Sequence, residues 1–323
     1  MATKRTPSRP VLVTGGGGFI GSHLVERLLA GGKSVVVIDD FSTGRRENLR
    51  AVARHRRLRV IASKVSACAA LAELAAGAES IYHLAAAVGV ELVLNAPVQT
   101  LRTNLHETEA ILEAACAARV PVLVASTSEV YGKSRRPAFS EEDDLLIGPP
   151  RLHRWGYACS KLMDEFLALA CARERGLPVV IARIFNTVGP RQTGRHGMVL
   201  PRFLAAAQAG RPLRVFGDGR QTRCFCHVAD TVEALIRLQN CAAARGEVVN
   251  VGREEEVTIR ELAALVIQTL GSKSKIELVP YDTAYGAGFE DMRRRRPRTA
   301  KLAALTGFRP ATTLREMIEH AAQ

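Results

Sequence analysis

Short β-branched runs alternate along the first half of the chain with longer stretches of helical periodicity. Val11-Leu12-Val13 is the first such run, and residues 22–30 after it read as an amphipathic helix. Further strands are expected over 34–38, 59–62, 80–84, 121–126 and 179–184, with Ala- and Leu-rich helical segments between them. Strands alternating with helices predict an α/β fold, a doubly wound parallel sheet of the Rossmann type. After residue 186 the pattern loosens. Helices near 198–209, 228–239, 258–270 and 312–322 alternate there with short strands near 213–216, 248–251 and 276–279, which predicts a smaller, interleaved α/β domain.

The first strand ends in Thr14-Gly15-Gly16-Gly17-Gly18-Phe19-Ile20-Gly21. The spacing Gly15-x-x-Gly18-x-x-Gly21 lets the backbone turn tightly, approach a pyrophosphate and leave helix N-terminal amides facing the anion. The second strand leads into Asp39, eighteen residues after Gly21, where a carboxylate can accept hydrogen bonds from an adenosine ribose. Asp39 also repels a 2′-phosphate, so NAD is expected over NADP, although Arg45 and Arg46 stand nearby. The expected organisation is therefore a basic tail over 1–10 and an NAD-binding domain over 11–186 with a return of the chain near 224–255. A substrate-binding domain is expected over 187–223 and 256–323.

Residues 126–161 bring candidate chemistry to the carboxyl end of a strand. Ser126-Thr127-Ser128-Glu129-Val130-Tyr131-Gly132 is followed, after a polar loop, by Tyr157-Ala158-Cys159-Ser160-Lys161. If Tyr157 and Lys161 share a helix, their i, i+4 spacing puts both on one face, where the ammonium can lower the phenol's pKa. Tyr157 is then a candidate base.

The formal net charge of +13 attracts anions, but the arginines are spread along the chain without the aromatic interleaving of a single-strand binder. A phosphorylated small substrate accounts for part of that charge, and neither nucleic acid nor a membrane is expected as a partner. No apolar run is long enough to span a bilayer, so a cytoplasmic location is expected. The seven cysteines are odd in number and scattered, which argues against a disulfide framework. Cys224-x-Cys226 with His227 lacks a second ligand pair at zinc spacing, so no metal is expected.

Together these motifs resemble the extended short-chain dehydrogenase/reductase family, specifically its nucleotide-sugar epimerases, dehydratases and decarboxylases. The resemblance runs nearly end to end. It rests on the glycine turn, Asp39 with Phe41-Ser42-Thr43-Gly44, His83-Leu84-Ala85-Ala86, Asn104, Thr127, Tyr157 and Lys161, and Arg183-Ile184-Phe185-Asn186 with Gly189-Pro190. Phe216-Gly217-Asp218-Gly219, Arg223 and Asn250-Val251-Gly252 complete it. The resemblance implies that Gly15, Gly18, Phe19, Ile20, Gly21, Asp39, Ser42, Thr43, Gly44, Leu84, Ala85 and Ala86 hold NAD together with Tyr157 and Lys161. It also implies oxidation of the sugar at C4, with Tyr157 taking the hydroxyl proton, Lys161 holding the nicotinamide ribose and Thr127 hydrogen-bonding the reacting oxygen. Ser128, Asn186, Arg191, Phe216, Arg223 and Arg295 are the implied substrate residues, Asn186 and Arg223 on the diphosphate and Phe216 against the uracil. His83 is expected to be fixed rather than to shuttle protons.

Ser128-Glu129 discriminates among subgroups. Simple 4-epimerases tend to carry a small residue at 129, and 4,6-dehydratases an Asp-Glu pair, whereas Thr-Ser-Glu-Val-Tyr-Gly is similar to UDP-glucuronate decarboxylases. Gly148-Pro149 through Arg154-Trp155-x-Tyr157, and Tyr285-Gly286-x-Gly288-Phe289 leading to Arg295-Arg296-Pro297, point the same way. Residues 86–90 are more like those of the epimerases, which leaves a UDP-hexose or UDP-uronate 4-epimerase as the alternative. A non-catalytic NAD-sensing or RNA-binding relative is a third reading, motivated by the charge and opposed by the intact Thr127, Tyr157 and Lys161. A homodimer is expected through helix faces around Met163, Phe166 and Leu167 and around Ile111 and Leu112.

Overall fold

The computed structural model describes residues 9–87, 96–152, 154–194, 198–280 and 292–322. The strands are β1 (Val11–Thr14), β2 (Val35–Asp39), β3 (Leu58–Ala62), β4 (Ser80–His83), β5 (Val122–Thr127), β6 (Val179–Ile184), β7 (Thr187–Val188), β8 (Leu213–Phe216), β9 (Thr222–Cys224), β10 (Cys226–His227), β11 (Val248–Val251), β12 (Glu256–Thr258) and β13 (Ile276–Val279). The helices are α1 (Phe19–Ala30), α2 (Leu71–Gly77), α3 (Pro97–Ala118), α4 (Arg154–Arg175), α5 (Val199–Gln208), α6 (Val228–Asn240), α7 (Ile259–Leu270), α8 (Ala300–Thr306) and α9 (Leu314–Ala321).

Seven of the described strands form one parallel sheet in the order β11-β6-β5-β4-β1-β2-β3. β1, β2 and most of β5 and β6 are buried continuously, as strands covered by helices on both faces must be. From β1 the chain builds outward through β2 and β3, then crosses to the other side through β4, β5 and β6. The order reverses between β1 and β4, and the crevice at their carboxyl ends is where such sheets take ligands. β11 returns beside β6, pairing Asn250 with Arg183.

One sheet face packs Leu24, Val25 and Leu28 of α1 with Val232, Leu235 and Leu238 of α6. The opposite face packs Ile111, Leu112 and Ala115 of α3 with Ala168 and Cys171 of α4. Ile111 and Leu112 are thus intrachain core at 0% and 1% exposure, not a dimer face, and Leu167 packs against the same core. Met163 and Phe166 of α4 do face outward.

A smaller unit gathers Phe203 of α5, Leu262 and Val266 of α7 and Ile318 of α9 over the parallel pair β8–β13. α7 and α9 each begin with a capping box, Thr258 with Glu261 and Thr313 with Glu316, which sets the first turn of both helices. A fourth cluster sits behind the candidate chemistry, where Tyr131 stacks on Phe139 at 4.7 Å beside Trp155 and Phe185. Trp155 lies so tightly on Gly148 that a Cβ there would be 2.1 Å from its indole nitrogen. Most of the basic tail, residues 88–90 of the epimerase-like segment and the Tyr285–Phe289 motif lie outside the described residues.

Candidate active site

The glycine turn is built for close approach. Gly15 has a φ of +72°, and a Cβ on it would lie 2.7 Å from the Ala85 amide nitrogen. A Cβ on Gly21 would lie 2.1 Å from the Gly15 carbonyl oxygen, so only glycine allows α1 to pack this near β1. Gly18 is the extended N-cap of α1 and supplies no side-chain cap, and the first turn carries no acidic residue. The amides there are open to an anion. Asp39 accepts from the Gly17 amide and the Phe41 amide, both at 2.7 Å. Burial raises its carboxyl pKa, and those two amides oppose the shift. Asn48 donates to the Gly17 carbonyl at 2.8 Å, a contact the sequence did not announce. A bare glycine cradle with a carboxylate beside it fits a dinucleotide.

A cavity of about 640 Å³ runs from this turn to the smaller unit. Gly15, Gly18, Phe19, Ile20, Gly21, Ser42, Thr43, Gly44, Leu84 and Ala86 line the cofactor end, and Thr127, Glu129, Tyr157 and Lys161 line the middle. Asn186, Arg191, Phe216, Arg223 and Arg295 line the far part. Three of the expected residues do not line it. Asp39 sits under Gly17, Ala85 backs Gly15, and Ser128 is fully buried beneath Arg295.

α4 carries Tyr157 and Lys161 one turn apart, and Thr127 is the last residue of β5. The Thr127 hydroxyl hydrogen-bonds the Tyr157 phenol and accepts from the Glu129 amide at 3.3 Å. Lys161 donates to Asp164 at 2.7 Å. The expectation that Lys161 lowers the Tyr157 pKa is corrected here. Burial raises that pKa, the Glu129 and Asp164 carboxylates raise it further, and Arg295 and the Thr127 hydrogen bond pull the other way. Lys161 is bonded to Asp164, whose carboxylate acts on the phenol in the opposite direction.

His83 is wedged between Thr14 at 2.8 Å and Thr108 at 3.1 Å. Burial, helped by the Lys161 charge, pushes its pKa down to about 3, so it is a neutral fixture. Asn104 of α3 accepts from the Ala87 amide at 2.8 Å and donates to Ser160 at 3.0 Å, fastening the β4 exit to α4.

On the far side, Arg295 donates to Glu129 and to the Ser128 hydroxyl, each at 2.6 Å. Arg223 donates to the Met292 and Thr222 carbonyls at 2.8 Å, and Asn186 to the Cys224 carbonyl at 3.3 Å. Phe216 has the Arg202 guanidinium over its ring at 4.2 Å. Arg191 lines the cavity, but its guanidinium is on α1, bonded to Glu26 and Ser22. Beneath the site Arg183 pairs with Glu165 at 2.8 Å, both buried, and Ser126 donates to the same carboxylate.

Burial pushes the Cys224 and Cys226 thiols up to about 12, and His227 accepts from the Ala229 amide at the start of α6. Among the described residues no group of three or more His, Cys, Asp or Glu is placed to hold a metal ion, and no helix is long and apolar enough to cross a membrane.

The NAD dependent epimerase/dehydratase family profile matches residues 11–252. The chain is similar to a UDP-N-acetyl-alpha-D-glucosaminuronate decarboxylase of Bacillus cytotoxicus, 41% identical over 300 residues, covering 93% of this chain and 92% of that protein. It is 34% identical to UDP-glucuronic acid decarboxylase 1 of Danio rerio, covering 95% of this chain and 70% of that one. Among solved structures it resembles UDP-glucuronic acid 4-epimerase of Bacillus cereus in complex with UDP-glucuronic acid and NAD, with a TM-score of 0.87, 27% identity and coverage of 97% and 98%. A glycine cradle at the switch point, a Tyr/Lys helix beside it and a match over most of the length agree: the chain belongs to the NAD-dependent epimerase/dehydratase family, with NAD as its cofactor.

Proposed function

We propose that this enzyme oxidises a UDP-hexuronate at C4 and then releases its carboxyl group as CO2. UDP-glucuronate is the leading substrate, and its 2-acetamido counterpart is the next to try. The observation that carries this reading is the Glu129–Arg295 ion pair at 2.6 Å, lining the same cavity as Tyr157 and acting on its phenol. Oxidation at C4 needs a phenol, a lysine and a hydroxyl donor; an added carboxylate and guanidinium serve a second step. The decarboxylase names of relatives at 41% and 34% identity support it.

NAD, when bound, supplies the acceptor for the C4 hydride. Tyr157 takes the 4-hydroxyl proton, Thr127 hydrogen-bonds the same oxygen and Lys161 holds the nicotinamide ribose. The sugar is then a β-keto acid, so the C5–C6 bond breaks with its electron pair moving toward the C4 oxygen. C5 takes a proton as the C4 carbonyl re-forms, and return of the hydride to C4 leaves a product lighter by CO2 alone. The Thr127 and Tyr157 hydroxyls are donors for the charge that develops there. Asn186 and Arg223 are assigned to the nucleotide-sugar end, Phe216 to the base, and Ser128 and Arg295 to the uronate. The two units of the chain divide as 11–186 with 224–255, and 187–223 with 256–323.

Incubation with each UDP-uronate, read by mass, tests the reading. A product lighter by CO2 is expected; unchanged mass with inverted C4 would instead establish a UDP-uronate 4-epimerase. That second reading draws on the similarity to the Bacillus cereus 4-epimerase.

The enzyme is further proposed to be a cytoplasmic homodimer joined through α3 and α4, where Val98, Met163 and Phe166 are 63%, 53% and 63% exposed. Light scattering should give twice the chain mass for the wild type and a monomer for Phe166→Glu; a monomeric wild type would refute it.

A further inference from the structure

Arg191 is one of three described non-glycine residues with a positive φ, at +70°. A backbone in this region persists when surrounding contacts hold it, and such positions gather at ligand clamps. The contacts here are unusually long in sequence. The Arg191 guanidinium meets both carboxylate oxygens of Glu26 at 2.6 and 2.7 Å and the Ser22 hydroxyl at 3.1 Å. One residue earlier, the Pro190 carbonyl accepts from His23 Nε2 at 3.0 Å. One residue later, Gln192 donates to the Thr187 carbonyl at 2.9 Å, anchoring the loop at its other end.

Ser22, His23 and Glu26 occupy the first two turns of α1, directly after the Gly18–Gly21 cradle. Arg191, Gln192 and Thr193 line the same cavity as that cradle. We propose that residues 189–192 form a strap across the dinucleotide site, latched to α1 by the Arg191–Glu26 pair, and that this latch governs how long NAD stays bound. Arg191 is then a positioning residue for the cofactor rather than a contact of the nucleotide sugar. Nη2 spans both Glu26 oxygens while Nη1 holds the Ser22 hydroxyl, so the planar guanidinium ties down two side chains of α1 at once, a geometry the single nitrogen of a lysine does not reproduce. The pair is a quarter exposed on each side, so it can open without unfolding the sheet.

The test compares wild type with Glu26→Gln, Arg191→Gln and Arg191→Lys, each purified with bound NAD. NAD appearing in the filtrate after dilution gives the release rate, and calorimetry with UDP gives the affinity of the nucleotide-sugar end. Glu26→Gln and Arg191→Gln should each release NAD about tenfold faster, as expected for losing a charged hydrogen-bond pair that is partly screened by solvent. Arg191→Lys should fall between, with UDP affinity and melting temperature near wild type in all three. Wild-type NAD release in Glu26→Gln overturns the proposal, as does weakened UDP binding with unchanged NAD release in Arg191→Gln. Should Arg191→Gln fail to fold, the other two variants decide. The release rate reads NAD alone, so its outcome is separate from whether the sugar is decarboxylated or epimerised.

Discussion

Lys161 and Asp164 are joined at 2.7 Å across one turn of α4, with side-chain exposures of only 3% and 1%. Lys161 is therefore paired with a carboxylate that also acts on its neighbour, because the Asp164 charge raises the Tyr157 pKa. Removing a negative charge beside a phenol favours the phenolate, so Asp164→Asn lowers that pKa. If Tyr157 is the base, activity rises with pH as it ionises, and the acidic limb of the variant's pH–rate profile should move to lower pH. A limb that stays in place or moves upward would show that Asp164 does not tune the phenol.

On the proposed function, Glu129 is the residue that separates the two chemical steps. In Glu129→Gln the Thr127, Tyr157 and Lys161 side chains are all kept, and losing the carboxylate lowers the Tyr157 pKa, so reduction of bound NAD by UDP-glucuronate should persist. CO2 release should fall by about 100-fold, the scale of losing one positioned acid–base or electrostatic group. Stopped-flow absorbance of the reduced cofactor against trapped CO2 measures both. Equal losses in the two steps would place Glu129 in the oxidation itself.

His83 makes the fold acid-sensitive. Its pKa is about 3 in the native state against an ordinary 6.5, so between those values the unfolded chain binds a proton that the folded chain does not. Stability is therefore full above pH 6.5 and is lost as pH falls, by about 1.4 kcal/mol per unit from this group. Denaturant titrations between pH 7 and pH 5 should show that loss in the wild type and a shallower one in His83→Gln, whose side chain does not titrate. Parallel slopes would assign the sensitivity elsewhere.

Two glycines of one turn should fail differently. A Cβ at Gly18 meets only the Gly15 carbonyl at 3.1 Å, whereas at Gly21 it would overlap that carbonyl at 2.1 Å. Gly18→Ala should fold with a small loss in melting temperature yet be purified with little NAD, because the added methyl occupies the cradle. Gly21→Ala should lose several degrees, since a backbone must move to admit it. NAD content after denaturation and thermal melts of both variants check this; a Gly18→Ala that retains full NAD would argue that the pyrophosphate lies elsewhere.

Much of the fold is legible in the sequence because its signals are local. Val35-Val36-Val37-Ile38 can hardly be anything but a buried strand, and the glycine turn dictates that β1 leads into a helix. The short strands β7, β9, β10 and β12 leave no such trace, since two or three residues hold no alternation to read. In the candidate site the family motifs locate the cavity lining, but not the partners behind it. Asp164 is an i, i+3 neighbour of Lys161, a spacing open to sequence reading, yet no motif draws the eye to it. Asn48 on Gly17, Glu165 on Arg183 and Glu26 on Arg191 join segments whose proximity only the folded chain reveals. Phe41 and Arg191 adopt positive φ without the glycine that would have flagged it.

Trp155 is the chain's single tryptophan, packed against Gly148 and two residues ahead of Tyr157. All indole emission therefore originates from one spot at the start of α4. A spectral change on adding nucleotide sugar, excited at the red edge where the five tyrosines do not absorb, would report the 148–155 loop and the neighbourhood of Tyr157 without labelling.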